Sequence, residues 1–138
     1  MTKQDSRLHS TIDEYTLRSL IDLFYARVRD DNLIGPLFND AVGNWPEHLD
    51  KLLSFWSGVM LGSGRYKGRP LPAHIQHSDR ISASSFDRWL SLWKQTSEEL
   101  FEPAAAMALQ DKAGRIAESL QLGMRFARGD GFVSIKAA

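Results

Sequence analysis

Trp45-Pro46-Glu47-His48-Leu49-Asp50-Lys51-Leu52-Leu53-Ser54-Phe55-Trp56 is the stretch on which the fold turns. Pro46 suits the first turn of a helix, where its missing N–H costs nothing. As a helix, the stretch places His48, Lys51, Leu52, Phe55 and Trp56 at i, i+3, i+4, i+7 and i+8, on one stripe. A stripe that is apolar except for one histidine and one lysine must face something. The spacing predicts a helix from near Asn44 to about Leu61, stopped by Gly62-Ser63-Gly64.

Outward from this element the pattern stays helical. Before it, Leu17, Leu20, Ile21, Phe24, Tyr25 and Val28 recur at helical spacing up to about Arg29, with Tyr25 beside the apolar stripe. Thr11-Ile12-Asp13-Glu14 has the form of a capping box, and Asp13 is a rival cap. Leu33-Ile34-Gly35-Pro36-Leu37-Phe38 is an apolar corner between helices, with Phe38 a candidate pocket wall. After the central helix comes Arg65-Tyr66-Lys67-Gly68-Arg69-Pro70-Leu71-Pro72, a cationic loop of functional length. Pro72 to His77 is at most a short helix. Ser84-Ser85-Phe86-Asp87 opens another helix, with Phe86, Trp89, Leu90, Trp93 and Leu100 on its buried face. Glu102-Pro103 closes it and starts a last one through Met107, Gln110, Ala113, Ile116, Ala117, Leu120 and Met124. No period-two strand appears, so the chain reads as all-α. Residues 1–10 read as a mobile arm, 11–128 as one domain and 129–138 as a frayed tail.

Composition narrows the function classes. A chain of 138 residues is one domain, long enough to bury a core. Lys+Arg and Asp+Glu are 17 each, which argues against nucleic acid or an anionic membrane as partner. There is no cysteine, so disulfides, thiolate catalysis and cysteine-ligated zinc are excluded. The first residues lack the apolar core of a signal peptide, and no apolar run reaches the roughly 18 residues of a membrane span. A soluble cytoplasmic protein is the expectation.

The histidines are His9, His48, His74 and His77. His9 falls in the arm and is expected to do nothing. His74 and His77, with His48, have the makings of a three-histidine zinc site, but no carboxylate stands at a recognised spacing. A haem needs a different set: an apolar slot between helices, one neutral imidazole and cations at the mouth. His74 supplies such an imidazole, His48, Leu52 and Phe55 an opposite face, and Lys51, Arg65, Lys67 and Arg69 the cations. Both readings stand beside the plain one, a solvated loop and a helix-start histidine.

From about Ile12 to Leu120 the residues resemble a known family, the group III truncated haemoglobins. The resemblance runs through Phe24-Tyr25, Leu33-Ile34-Gly35-Pro36-Leu37-Phe38, Trp45 with His48, Phe55-Trp56 and Leu61-Gly62. It continues in Gly64-x-Tyr66-x-Gly68-x-Pro70-Leu71-x-x-His74 and ends in Phe86-x-x-Trp89-Leu90. No Gly-Gly precedes His74, which fits group III better than the other truncated groups. The resemblance implies a truncated globin fold, a two-on-two helical sandwich around haem b (iron protoporphyrin IX). It implies His74 as the proximal iron ligand, and Tyr25, His48 and Trp89 as distal residues that act on the bound ligand. Phe38 would pack on the porphyrin, with Lys51, Leu52, Phe55 and Trp56 beside it. Tyr66 and Phe86 complete the expected haem contacts. Lys51 would reach toward a propionate, while Trp56 is better placed at the rim or against the next helix. His77 and Arg80 fall where the family varies and receive no role.

Such a protein would bind dioxygen, nitric oxide, carbon monoxide or similar small ligands at a pentacoordinate-competent iron. Tyr25, Trp89 and one tautomer of His48 are donors toward a bound ligand. Hydrogen bonds to charged acceptors contribute about 1.5–3 kcal/mol each, so two would hold oxygen too tightly for transport. The expectation is chemistry on oxygen: nitric oxide detoxification by dioxygenation, or a peroxidase-like activity. Either requires an external reductase, because no flavin or nicotinamide motif is present. The competing readings are a gas sensor, for which these 138 residues hold no output domain, and a haem-free helical interaction domain.

Overall fold

The computed structural model describes residues 8–66, 68, 70, 74 and 80–128. Among the described residues five helices follow in order: α1 Glu14–Asp30, α2 Gly35–Ala41, α3 Trp45–Leu61, α4 Ala83–Leu100 and α5 Pro103–Arg128. Among the described residues the only β pairing is an isolated bridge between His9 and Phe101, so the fold is all-α. None of these helices is long and apolar enough to cross a membrane.

The caps follow local chemistry, with two shifts from expectation. Asp13, the rival, caps α1: it accepts from Thr16 N at 2.8 Å, and Thr16 Oγ1 accepts from Asp13 N at 2.9 Å. The box at α4 sits two residues earlier than expected, between Ser82 and Ser85. Both alternatives offer the same hydroxyl and carboxylate groups, and the backbone position decides between them. At α3, Asn44 accepts from Glu47 N at 3.0 Å and Gly62 ends the helix at φ 71, a conformation that suits glycine. The apolar corner at residues 33–38 contains a helix that periodicity missed. α2 has seven residues, with proline in its first turn.

α1 packs against α2, α3 and α4, and α5 packs against α4. This gives two pairs, α1 with α3 and α4 with α5, joined through α1 and α4. Leu17, Leu20, Ile21, Phe24 and Val28 bury the inner face of α1. Ala106, Leu109, Ala113 and Ala117 bury that of α5; its alanines allow the helices to approach closely. Between the pairs Trp93 stacks on Trp56 at 4.4 Å and on Trp89 at 5.7 Å, and Phe24 meets both Trp89 and Trp93 edge-on. Trp93 Nε1 donates to Leu109 O at 3.1 Å, satisfying its one polar atom in the core.

The end of the expected arm is tied down. His9 N donates to Leu100 O at 2.8 Å, and Glu102 N donates to His9 O at 2.9 Å. The His9 ring also packs edge-on against Phe101. His9 therefore helps to hold the junction between α4 and α5. Residues 1–7, the tail at 129–138, and the Pro72–His77 piece apart from His74 lie outside the described residues.

Candidate functional site

A cavity of about 530 Å³ opens between the helices, within the usual size range of cofactor sites. Every residue expected to surround a haem lines it: Tyr25, Phe38, His48, Lys51, Leu52 and Phe55, then Trp56, Tyr66, His74, Phe86 and Trp89. The stripe of α3 thus faces this space. His48, Leu52 and Phe55 supply successive turns of its wall, and Tyr66 meets Phe55 edge-on at 5.3 Å. Trp56 contributes only from behind. It is 1% exposed, and its ring belongs to the core stack with Trp93.

One polar group gathers around Tyr25. Its ring lies 5.9 Å from Phe38, 6.1 Å from Trp45 and 6.4 Å from His48. Burial drives the phenol pKa upward, and a hydrogen bond from Trp89 only partly opposes this. The hydroxyl therefore stays protonated. The Trp89 indole N–H and the Tyr25 O–H are both donors on this side of the cavity. Burial, followed by the Lys51 charge, holds the His48 pKa below its ordinary 6.5. At neutral pH His48 is a neutral imidazole, with one donor and one acceptor nitrogen.

His74 belongs to a separate group, stacked on Phe86 at 6.4 Å. Its Nδ1 lies 2.7 Å from Pro70 O. A carbonyl only accepts, so Nδ1 carries the proton, and in the neutral tautomer this leaves the lone pair on Nε2. That is the arrangement that fixes a metal-ligating imidazole and raises its basicity.

These features fit a haem. A porphyrin would bring four nitrogen donors of its own, so one protein imidazole suffices, and the rest of the lining is mainly apolar and aromatic. A zinc centre is a poorer match. Among the described residues no three His, Asp or Glu side chains gather as a metal site; His77 lies outside them. The cations differ from expectation. Arg65 points away to Glu14 at 2.9 Å, where Ser57 also donates to the same carboxylate. Lys67 and Arg69 lie outside the described residues. Lys51 remains at the rim, exposed and 3.5 Å from Glu47.

Three parts of the lining went unread in the sequence. Ala41, Val42, Gly43 and Asn44 form the edge between α2 and α3. Ile81 and Ser85 come from the start of α4, and Ile116, Ala117 and Leu120 from α5. The last set was visible as a helical apolar stripe, although nothing local separates a cavity floor from core. The loop at 41–44 carries no such signal.

No family model matches the chain. It is 32% identical over 115 residues to the group 3 truncated hemoglobin ctb of Campylobacter jejuni, spanning 80% of this chain and 90% of that protein. The crystal structure of the group III truncated hemoglobin from Campylobacter jejuni aligns with a TM-score of 0.76 at 32% identity, covering 83% of this chain and 92% of its own. Sequence and fold agree over nearly the whole of these relatives: the chain belongs to the group III truncated haemoglobins, a family of haem globins.

Proposed function

We infer that this chain holds haem b and performs chemistry on small gas ligands, with nitric oxide and dioxygen as the reactants, rather than oxygen transport. When bound, the haem supplies an iron centre able to take a diatomic ligand. His74 would hold that iron through Nε2, since its Nδ1 is committed to Pro70 O. Phe38, Phe55 and Phe86 would enclose the macrocycle, and Lys51 would stand near a propionate. The same aromatic crowding leaves room for diatomic ligands such as oxygen, nitric oxide or carbon monoxide, and little for a large organic substrate.

The observation that carries this reading is the meeting of Tyr25, His48 and Trp89 on one otherwise mainly apolar cavity. Trp89 and the protonated Tyr25 both line the cavity, and each has a proton to offer a small ligand there. Neutral His48 stands beside Tyr25 as a further donor. Such donors slow ligand loss and keep oxygen in place for a second reactant. The overall change, O2 + NO + e⁻ → NO3⁻, consumes one electron per turnover. An external reductase of the cytoplasm is the source that fits a chain without a flavin or nicotinamide motif. Mixing the oxygenated protein with nitric oxide tests this. Stoichiometric nitrate is expected; nitric oxide that persists, or disappears without nitrate, contradicts it.

A further inference from the structure

We propose that Arg29 is a positioning residue for the ligand site: its guanidinium holds the Trp45 ring as a wall behind His48, and the small ligand gains access when that wall yields. The inference rests on the haem reading above. It concerns side chains that no hydrogen bond in the cavity requires.

Arg29 lies in the last turn of α1, and its Cζ sits 4.6 Å from the centroid of the Trp45 ring. The other arginines of α1 have carboxylate partners, Arg18 with Asp22 and Asp50 and Arg27 with Glu99. Among the described residues no ion pair engages Arg29, so the indole face is its partner. Its backbone is also fixed, since Asn39 Nδ2 donates to Arg29 O at 3.1 Å. Trp45 opens α3 and does not itself line the cavity. Its ring stands edge-on to His48 at 5.6 Å and tilted to Tyr25 at 6.1 Å. Three residues apart on one helix, Trp45 and His48 share a face.

The rim lies on this side. Gly43, Asn44, Glu47 and Lys51 line the cavity and are exposed. His48, half-buried, is the group between that rim and Tyr25. The edge of Trp45 packs on the His48 ring, so movement of that ring breaks this contact, and the Arg29 stack holds Trp45 in place. A solvent-exposed cation–π contact is worth roughly a two- to fivefold change in an equilibrium. Loss of the contact should raise the open fraction by about that factor. A gate speeds passage in both directions, whereas a lost hydrogen-bond donor speeds departure alone. The two therefore leave different kinetic signatures.

The test uses the haem-loaded ferrous protein, with carbon monoxide as probe. Flash photolysis gives the association rate and ligand replacement the dissociation rate. In Arg29→Met and in Trp45→Leu both rates should rise about two- to fivefold, with affinity unchanged within about twofold. Arg29→Lys, which keeps the cation, should recover part of the original rates. On a His48→Ala background Arg29→Met should have no further effect, because the two act through one group. The C–O stretch of Arg29→Met should shift toward that of His48→Ala. Unchanged rates in folded Arg29→Met, a rise in dissociation alone, or a full effect on the His48→Ala background would overturn the proposal. A parental protein that takes up no haem overturns it together with the haem reading. A haem-loaded parental protein with indifferent variants overturns the Arg29 role alone.

Discussion

Tyr25 and Trp89 both line the cavity, and burial keeps the phenol proton of Tyr25 in place. Removing that proton should matter most. Tyr25→Phe is expected to raise the oxygen dissociation rate roughly tenfold to a hundredfold, the value of a hydrogen bond to a charged acceptor. Trp89→Phe should raise it less, since the tyrosine proton survives. Stopped-flow oxygen release measures both; an equal or larger effect of Trp89→Phe would contradict this order. His48 makes a pH prediction. Burial, then Lys51, places its folded pKa below the ordinary 6.5, so the folded state binds fewer protons than the unfolded one. Stability should be level above about pH 7.5 and fall as pH drops through about 6.5, where the unfolded chain protonates first. His48→Gln should flatten this slope in denaturant titrations between about pH 5 and 8.

At the scale of elements, the corner between α1 and α2 sets where Phe38 and Tyr25 meet. Gly35 is there because of space: a Cβ at this position would sit 2.7 Å from Arg29 O and 3.1 Å from Val28 O. Both neighbours are backbone and cannot rotate away. Gly35→Ala should therefore destabilise by about 1–3 kcal/mol, read as a fall of several degrees in thermal midpoint. The same corner shows why parts of the fold escaped the sequence. α2 is seven residues long, too short for a helical period to show, and its Gly-Pro start reads as a break. The long helices carried their own signal in apolar spacing, and Glu102-Pro103 divided α4 from α5 correctly. Caps were legible as a type but not in position, because Thr11 and Asp13, like Ser82 and Ser84, are all good N-cap residues and the backbone chooses between them.

Across the whole molecule the core and the site are one aromatic system. Trp56, Trp93 and Trp89 stack from the buried centre toward the cavity, which the last of them lines with Tyr25. The cavity-facing stripe of α3 was readable from spacing, whereas His74 was singled out from the other histidines by the family resemblance. The fate of Arg65 was not, because its partner Glu14 lies 51 positions away and only the packing of α1 on α3 brings them together. The floor from Ile116 to Leu120 was indistinguishable from core for the same reason, since an apolar stripe does not declare what faces it. His74 has its Nδ1 tied to Pro70 O, and the proposed haem ligation rests on its Nε2. The direct measurement is the absorption spectrum of purified protein and of His74→Gly after reconstitution with haemin. The account predicts a Soret band in the parental protein, its loss or marked shift in the variant, and its return on adding imidazole. A His74→Gly protein with the parental spectrum in the absence of imidazole would contradict it.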